Sequence, residues 1–403
     1  MLIDIPELES RAASAVPSAA IDAALDAAFA ERRLVGAVVL VAQHGQLRYA
    51  RAAGWADREA SRHMRTDALF RLASVSKPFV STAAMILVGQ GRIGLDDALT
   101  RWLPDFQPRL ADGRPARITL RQLLSHTAGL GYRFFEADEQ GPYALAGVSD
   151  GMDDSTITLD ENLRRIAGVA LQYEPGSGWG YSLATDVLGG LIERICGLPL
   201  DAALQQLLME PLGLRDTAFV AVDPERLATP YVNQLPQPRR MHERDLVPVF
   251  EGTVGIRYAP ARAFDARAFA SGGAGMVGSA GDLLQLLEVL RRGGGELLSG
   301  ALVDEMARKQ TGELELPNAP GFGFGLGFSV LDDPLAATSP ESVGTWRWGG
   351  AYGHSWWVDR ERGLSVVAFT NTLYEGMSGR FVTDLRDAVY THLPAWENRE
   401  PAA

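Results

Sequence analysis

One cysteine, Cys196, stands in 403 residues, so neither an intrachain disulfide nor a cysteine-built zinc cluster is available to this chain. The six histidines are scattered and form no His-Glu-x-x-His, which leaves a metal centre without support. Basic runs are missing and the formal charge is −12, so the chain is expected to repel nucleic-acid backbones and anionic membranes. Long apolar runs are missing too. The longest, from Leu34 to Ala42 with Gly36 inside it, falls far short of the ~20 residues of a spanning helix. The first ten residues, MLIDIPELES, carry acids where an export leader carries bases, and the expectation is a cytoplasmic protein without a signal peptide. The scarcity that matters most is lysine: of 38 basic residues only Lys77 and Lys309 are not arginine. Arginine keeps its proton in a protein, whereas a buried lysine can lose it, so a lysine in such a chain is a candidate for work that needs a neutral amine.

What is present is the composition of an ordinary globular protein, with 46 % apolar and 22 % charged residues. Ser18–Leu34 reads as an amphipathic helix capped by Ser18, with Ile21, Leu25, Ala28 and Phe29 on one face. Val38–Ala42 and Gln46–Ala52 flank His44-Gly45 as a hairpin. Near the other end, Thr345–Tyr352, Ser355–Asp359 and Leu364–Asn371 read as strands, followed by a helix from Met377 to His392. Helical patterns fill the middle, at Ser76–Gly89, Leu120–Leu124, Asp160–Val169, Ser182–Ile195, Pro199–Leu208 and Ser279–Leu290. The predicted fold is α/β, an α+β sandwich whose antiparallel sheet is built from both chain ends and flanked by terminal helices, with a mostly helical inserted region. Residues 1–75 and 265–403 are expected to form the sheet domain and 76–264 the helical one, with residues 230–260 a long surface loop. Gly321, Gly323, Gly325 and Gly327 alternate with bulky apolar residues, so one strand face is bare backbone, fit for close packing or for a ligand.

Three segments carry chemistry. In Ser74-Val75-Ser76-Lys77 the serine and lysine stand three apart at the start of a helix, which sets their Cβ atoms ~5–6 Å apart on one face. A helix start also favours a nucleophilic oxygen and the oxyanion it generates. The same tetrapeptide describes a serine cap followed by a solvated lysine. Pro175-Gly176-Ser177-Gly178-Trp179-Gly180-Tyr181 leads a phenol to the start of another helix. At ~4 Å and an effective dielectric near ~20, an ammonium stabilises a phenolate by about 4 kcal/mol, so Lys77 and Tyr181 would share one proton between them. In Trp346-Arg347-Trp348-Gly349-Gly350-Ala351 a strand ends in two glycines, letting a substrate lie along its edge under the Ala351 N–H. With the Ser74 N–H this makes a two-donor oxyanion hole.

Taken in this order, the three segments resemble the serine β-lactamases and penicillin-binding proteins, specifically the class C β-lactamase branch and within it the family VIII carboxylesterases. Leu123-Leu124-Ser125-His126-Thr127-Ala128-Gly129-Leu130 and Ser271-Gly272-Gly273-Ala274-Gly275-Met276 also look like that family's recurring segments. The likeness runs from about residue 20 to 392. Two departures bear on substrate. Tyr181-Ser182-Leu183 stands where the lactamases have Tyr-x-Asn, and Trp348-Gly349-Gly350 where they have Lys-Thr-Gly. The cation that would hold a substrate carboxylate is thus replaced by an aromatic wall.

The expectation is a cofactor-free carboxylesterase that cleaves short- to medium-chain, uncharged esters through an acyl-serine. Ser74 is the nucleophile, Lys77 and Tyr181 move its proton, and Trp348, Gly349, Gly350, Tyr132 and Phe134 bind substrate, with Phe135, Tyr352 and Trp356 as further lining or ordinary packing. The alternative is a β-lactamase or D-amino-acid peptidase or amidase using the same three residues; a non-catalytic scaffold keeping the fold is the third reading. Gly273-x-Gly275-x-x-Gly278 matches a dinucleotide fingerprint but lacks a clear preceding strand and the acid ~20 residues on. Gly-x-Ser-x-Gly is absent, and a serine–histidine pair through His126 or His354 stays open.

Overall fold

The computed structural model describes residues 17–391. The N-terminal decapeptide and His392 lie outside the described residues. An eight-stranded antiparallel sheet runs in the order Phe322–Phe324, Ser329–Leu331, Trp346–Gly350, His354–Asp359, Leu364–Thr370, Gly36–Gln43, Gln46–Asp57 and Arg62–His63. Its centre is where the two ends of the chain meet, with Val39 opposite Ala368 and Val41 opposite Val366. Gly36–Gln43 is buried along its whole length, and apolar as far as Ala42, because both of its faces are covered. Val39, Val41, Val366, Ala368 and Trp357 pack under the terminal helices Ser18–Ala30 and Arg380–Tyr390 through Ile21, Leu25, Phe381, Leu385 and Val389. The opposite side chains, Val38, Leu40, Val367, Phe369 and Trp356, join the large core beneath the Ala280–Arg291 helix and the helical region.

The expected sheet, hairpin and central helices are all present. His44 and Gly45 both adopt positive φ, the backbone of a two-residue hairpin turn that matches strand twist. Leu120–Leu124 carries a full capping box between Thr119 and Gln122. Three expectations need correction. Pro17, not Ser18, precedes the first helical residue, and this helix ends at Ala30 with Arg32 at φ 56°. The C-terminal helix is two pieces, Glu375–Ser378 and Arg380–Tyr390, because Gly379 between them is extended. Residues 230–260 are not structureless: Tyr231–Val232 pairs with Arg239–Arg240, and Asp245–Val247 with Ile256–Tyr258. Strands of two or three residues are too short to leave a periodic trace in sequence.

Candidate active site

Ser74 sits in a single tight turn, Ala73–Val75, that runs directly into the buried helix Ser76–Gly89. Ala73 is held at φ +46°, a left-handed backbone that an alanine enters only when its surroundings force it. Three contacts hold the approach to this turn. Leu69–Arg71 pairs with Val277–Ser279, the Leu72 N–H donates to the Met276 carbonyl at 2.8 Å, and His354 Nε2 donates to the Arg71 carbonyl at 2.9 Å. The Trp346–Gly350 strand then crosses so close that a Cβ on Gly350 would lie 2.4 Å from the Leu72 carbonyl oxygen. The second glycine of Trp348-Gly349-Gly350 is therefore a clearance, and it lets the strand end reach the serine turn.

Around Ser74 the polar groups converge. The Tyr181 hydroxyl donates to Ser74 Oγ at 2.5 Å, and Lys77 Nζ lies 3.3 Å from the same oxygen. Lys77 is only 1 % exposed, and its Nζ donates to the Tyr132 hydroxyl at 3.1 Å and the Gly273 carbonyl at 2.8 Å. It also rests 4.6 Å from the centre of the Tyr181 ring. These distances exclude the solvated-lysine reading of the tetrapeptide. Burial pushes the Tyr132 phenol well above its usual range, with Tyr181, Asp186 and Asp150 adding to the effect. Tyr132 thus meets the amine as a neutral phenol, deeper in the site than a lining residue.

The histidines do not compete for the serine. Burial, and then the Lys77 charge, push the His126 imidazole well below its ordinary range, and its Nδ1 accepts the Ser182 N–H at 3.2 Å. His354 is committed to the Arg71 carbonyl. The dinucleotide-like glycines serve the lysine instead: Gly273 presents its carbonyl to Lys77, and Gly278 belongs to the Val277–Ser279 strand.

Aromatic side chains wall the site. Trp348 stands 5.1 Å from Tyr181 and 5.2 Å from Phe324, ring centre to ring centre, and Phe324 is backed by Trp179 at 5.6 Å. On the other side Tyr132 stacks on Phe134 at 4.3 Å, and the half-exposed Phe135 stacks on Phe250 at 6.0 Å. Phe134 is buried behind Tyr132, so Phe135 rather than Phe134 presents the accessible ring. Tyr352 packs edge-on to Tyr258, and Trp356 is a core residue against Phe328. Of the alternating glycines, Gly325 faces the Met306 carbonyl and Gly327 faces Ser81, so their bare face is packed by protein. Asp186, Ser271, Trp179, Phe324 and Phe250 are brought to the site by tertiary contact; Asp186 in sequence looks like any acid in the first turn of a helix.

The chain is similar to known proteins over nearly its whole described length. The family model described as Beta-lactamase matches residues 21–391. Esterase EstB of Burkholderia gladioli is 53 % identical over 374 residues, covering 93 % of this chain and 95 % of the relative. The solved structure of EstCE1, described as a hydrolase with promiscuous acyltransferase activity, superposes with TM-score 0.89 at 46 % identity, over 92 % of this chain and 98 % of that one. D-amino acid amidase from Ochrobactrum anthropi follows at TM-score 0.68 and 25 % identity, over 93 % and 98 % of the two chains. With its serine, lysine and tyrosine gathered on this sheet-and-helix frame, the chain belongs to the β-lactamase family of serine hydrolases, on its family VIII carboxylesterase branch.

Proposed function

We propose that this protein is a carboxylesterase acting on small, uncharged esters of short to medium chain, with Ser74 as nucleophile. The observation that carries the reading is the position of Ser74 Oγ, 2.5 Å from the Tyr181 hydroxyl and 3.3 Å from Lys77 Nζ, under an aromatic wall. When Oγ attacks the ester carbonyl, its proton passes to the Tyr181–Lys77 pair. The tetrahedral oxyanion is held by the N–H groups of Ser74 and Ala351, and losing one such donor costs roughly 10²–10³ in turnover. The pair then protonates the departing alcohol, leaving an acyl-serine. In the second half the same pair takes a proton from water, the hydroxide releases the acid, and Ser74 regains its proton.

An uncharged substrate follows from Trp348 occupying the strand position where a cation would grip a carboxylate. The neighbouring Arg347 does not replace it, being tied to Glu341 at 3.1 Å. In the same reading the sheet domain, 1–75 and 265–403, supplies Ser74 and the Trp348-Gly349-Gly350 strand end, and the helical domain, 76–264, supplies Lys77 and Tyr181. A small-molecule ester partner and a cytoplasmic location belong to the same reading; among the described residues no helix is long and apolar enough to cross a membrane.

Ser74→Ala is expected to lower kcat/KM for p-nitrophenyl butyrate by a thousandfold or more, on the order seen when a hydrolase nucleophile is removed. Intact mass after brief fluorophosphonate exposure should show one adduct mapping to Ser74. Labelling at another residue with activity retained ends the reading, and turnover of nitrocefin or a D-alanyl amide well above that of esters moves it to the lactamase or amidase alternative.

A further inference from the structure

We infer that Asp186 is a positioning residue of this site: its carboxylate fixes the turn whose Gly273 carbonyl grips Lys77, and its negative charge strengthens the hold of Lys77 and Tyr181 on their shared proton. The inference rests on the esterase reading above and adds to it a residue outside the serine–lysine–tyrosine set.

The geometry has two parts. Asp186 lies in the first turn of the Ala184–Cys196 helix and is fully buried. Its Oδ1 accepts the Ser271 hydroxyl at 2.6 Å and the Gly273 N–H at 3.4 Å, and Ser271 Oγ in turn accepts the Ala274 N–H at 3.1 Å. One carboxylate oxygen therefore organises residues 271–274, and the carbonyl that leaves this turn accepts from Lys77 Nζ at 2.8 Å. The other oxygen, Oδ2, is buried and takes no hydrogen bond among the described residues. It lies beside the open side of Gly273, where a Cβ would stand 2.5 Å from Oδ2 and 3.4 Å from the Tyr132 hydroxyl.

A buried carboxylate oxygen without a donor is costly, and the turn does not need it. An asparagine would offer Ser271 the same acceptor. What asparagine cannot offer is charge. Before the pair yields a proton, ammonium and phenol together carry +1; afterwards they are neutral whichever member keeps the remaining proton. A nearby negative charge favours the +1 form, so its removal must let the proton leave at lower pH.

The other groups facing this region set the background. Arg262 supplies positive charge towards Asp186, while burial opposes ionisation of its carboxyl. Asp150, held by Arg133 at 3.5 Å, adds negative charge, and burial pushes its carboxyl up to about 7. His126 and Tyr132 are held neutral.

The test is Asp186→Asn, followed as kcat/KM against pH with p-nitrophenyl butyrate. Removing one close charge is expected to move the acid limb down by about one pH unit. A limb that stays in place while the rate falls at every pH is what a packing role gives, and it overturns the inference. Neutron diffraction from the unmodified protein at pH 8 gives a second readout that does not depend on the variant folding. A bare Asp186 carboxylate supports the inference, and a deuteron on Oδ2 overturns it. Fluorophosphonate labelling of Ser74 in the unmodified protein separates the two claims, because its absence sinks the esterase reading itself.

Discussion

Gly350 shows how a missing side chain can set a site. The Trp346–Gly350 strand pairs with His354–Asp359 to its last residue, Gly350 opposite His354, and at that point it also passes the serine turn. A methyl group at 350 would meet the Leu72 carbonyl at 2.4 Å and Val75 Cγ2 at 3.1 Å; the carbonyl is held by the Val75 N–H at 3.0 Å and the strand by its ladder. Gly350→Ala is therefore expected to destabilise the fold by about 1–3 kcal/mol, the usual range for overpacking. The larger effect falls on kcat, because the strand end carrying the Ala351 N–H must move away from Ser74. A urea titration beside steady-state kinetics checks both; a variant with unchanged kcat would show that this approach is not needed for turnover.

Among the elements, the Asp245–Val247 and Ile256–Tyr258 hairpin has the clearest bearing on specificity. Its tip places a half-exposed Phe250 on Phe135, whose ring stands 6.5 Å from Tyr181. The hairpin is fastened rather than loose. The Val254 N–H donates to the Glu136 carbonyl at 2.7 Å, and the Tyr374 hydroxyl to the Val247 carbonyl at 3.0 Å. An ester chain reaching past Tyr181 would meet this aromatic lip, and each methylene buried there contributes up to about 0.8 kcal/mol. Phe250→Ala is expected to raise KM for p-nitrophenyl hexanoate several-fold and to leave the acetate nearly unaffected. Equal changes for both esters would take the lip out of the binding site. None of this hairpin was legible in the sequence, where a few paired residues between prolines read as loop.

At the scale of the whole molecule, the sheet joins the two chain ends and His354 pins it to the serine turn. Burial depresses this imidazole to about 4, from an ordinary value near 6.5, while its Nδ1 has no partner among the described residues. For a group whose folded pKa is depressed, the stability it supports is fully present above the unfolded value and is lost as pH falls through the folded one. The window is therefore pH 6.5 down to 4, and the loss is on the order of 3 kcal/mol. His354→Gln keeps a donor for the Arg71 carbonyl but cannot be protonated there. Its melting temperature should fall less steeply than that of the unmodified protein between pH 6.5 and 4, as differential scanning fluorimetry would read. Parallel curves would mean that His354 does not titrate against folding.

The sequence by itself determined the elements whose signals are local. The His44-Gly45 turn, the apolar and aromatic strands at both ends, the Ser76–Gly89 helix and the Ser74–Lys77 spacing each rest on neighbours within a few residues, where backbone sterics and side-chain composition act directly. It also made Tyr181 and the Trp348 strand recognisable, through their order along the chain. Tertiary structure alone decided that Asp186 and Ser271, 85 residues apart, share a hydrogen bond beneath Lys77, that Tyr132 faces the amine while Phe135 takes the rim, and that Trp356 belongs to the core. The reason is physical: contacts between distant segments are set by how layers of sheet and helix fill space together, and no local pattern in the chain records that.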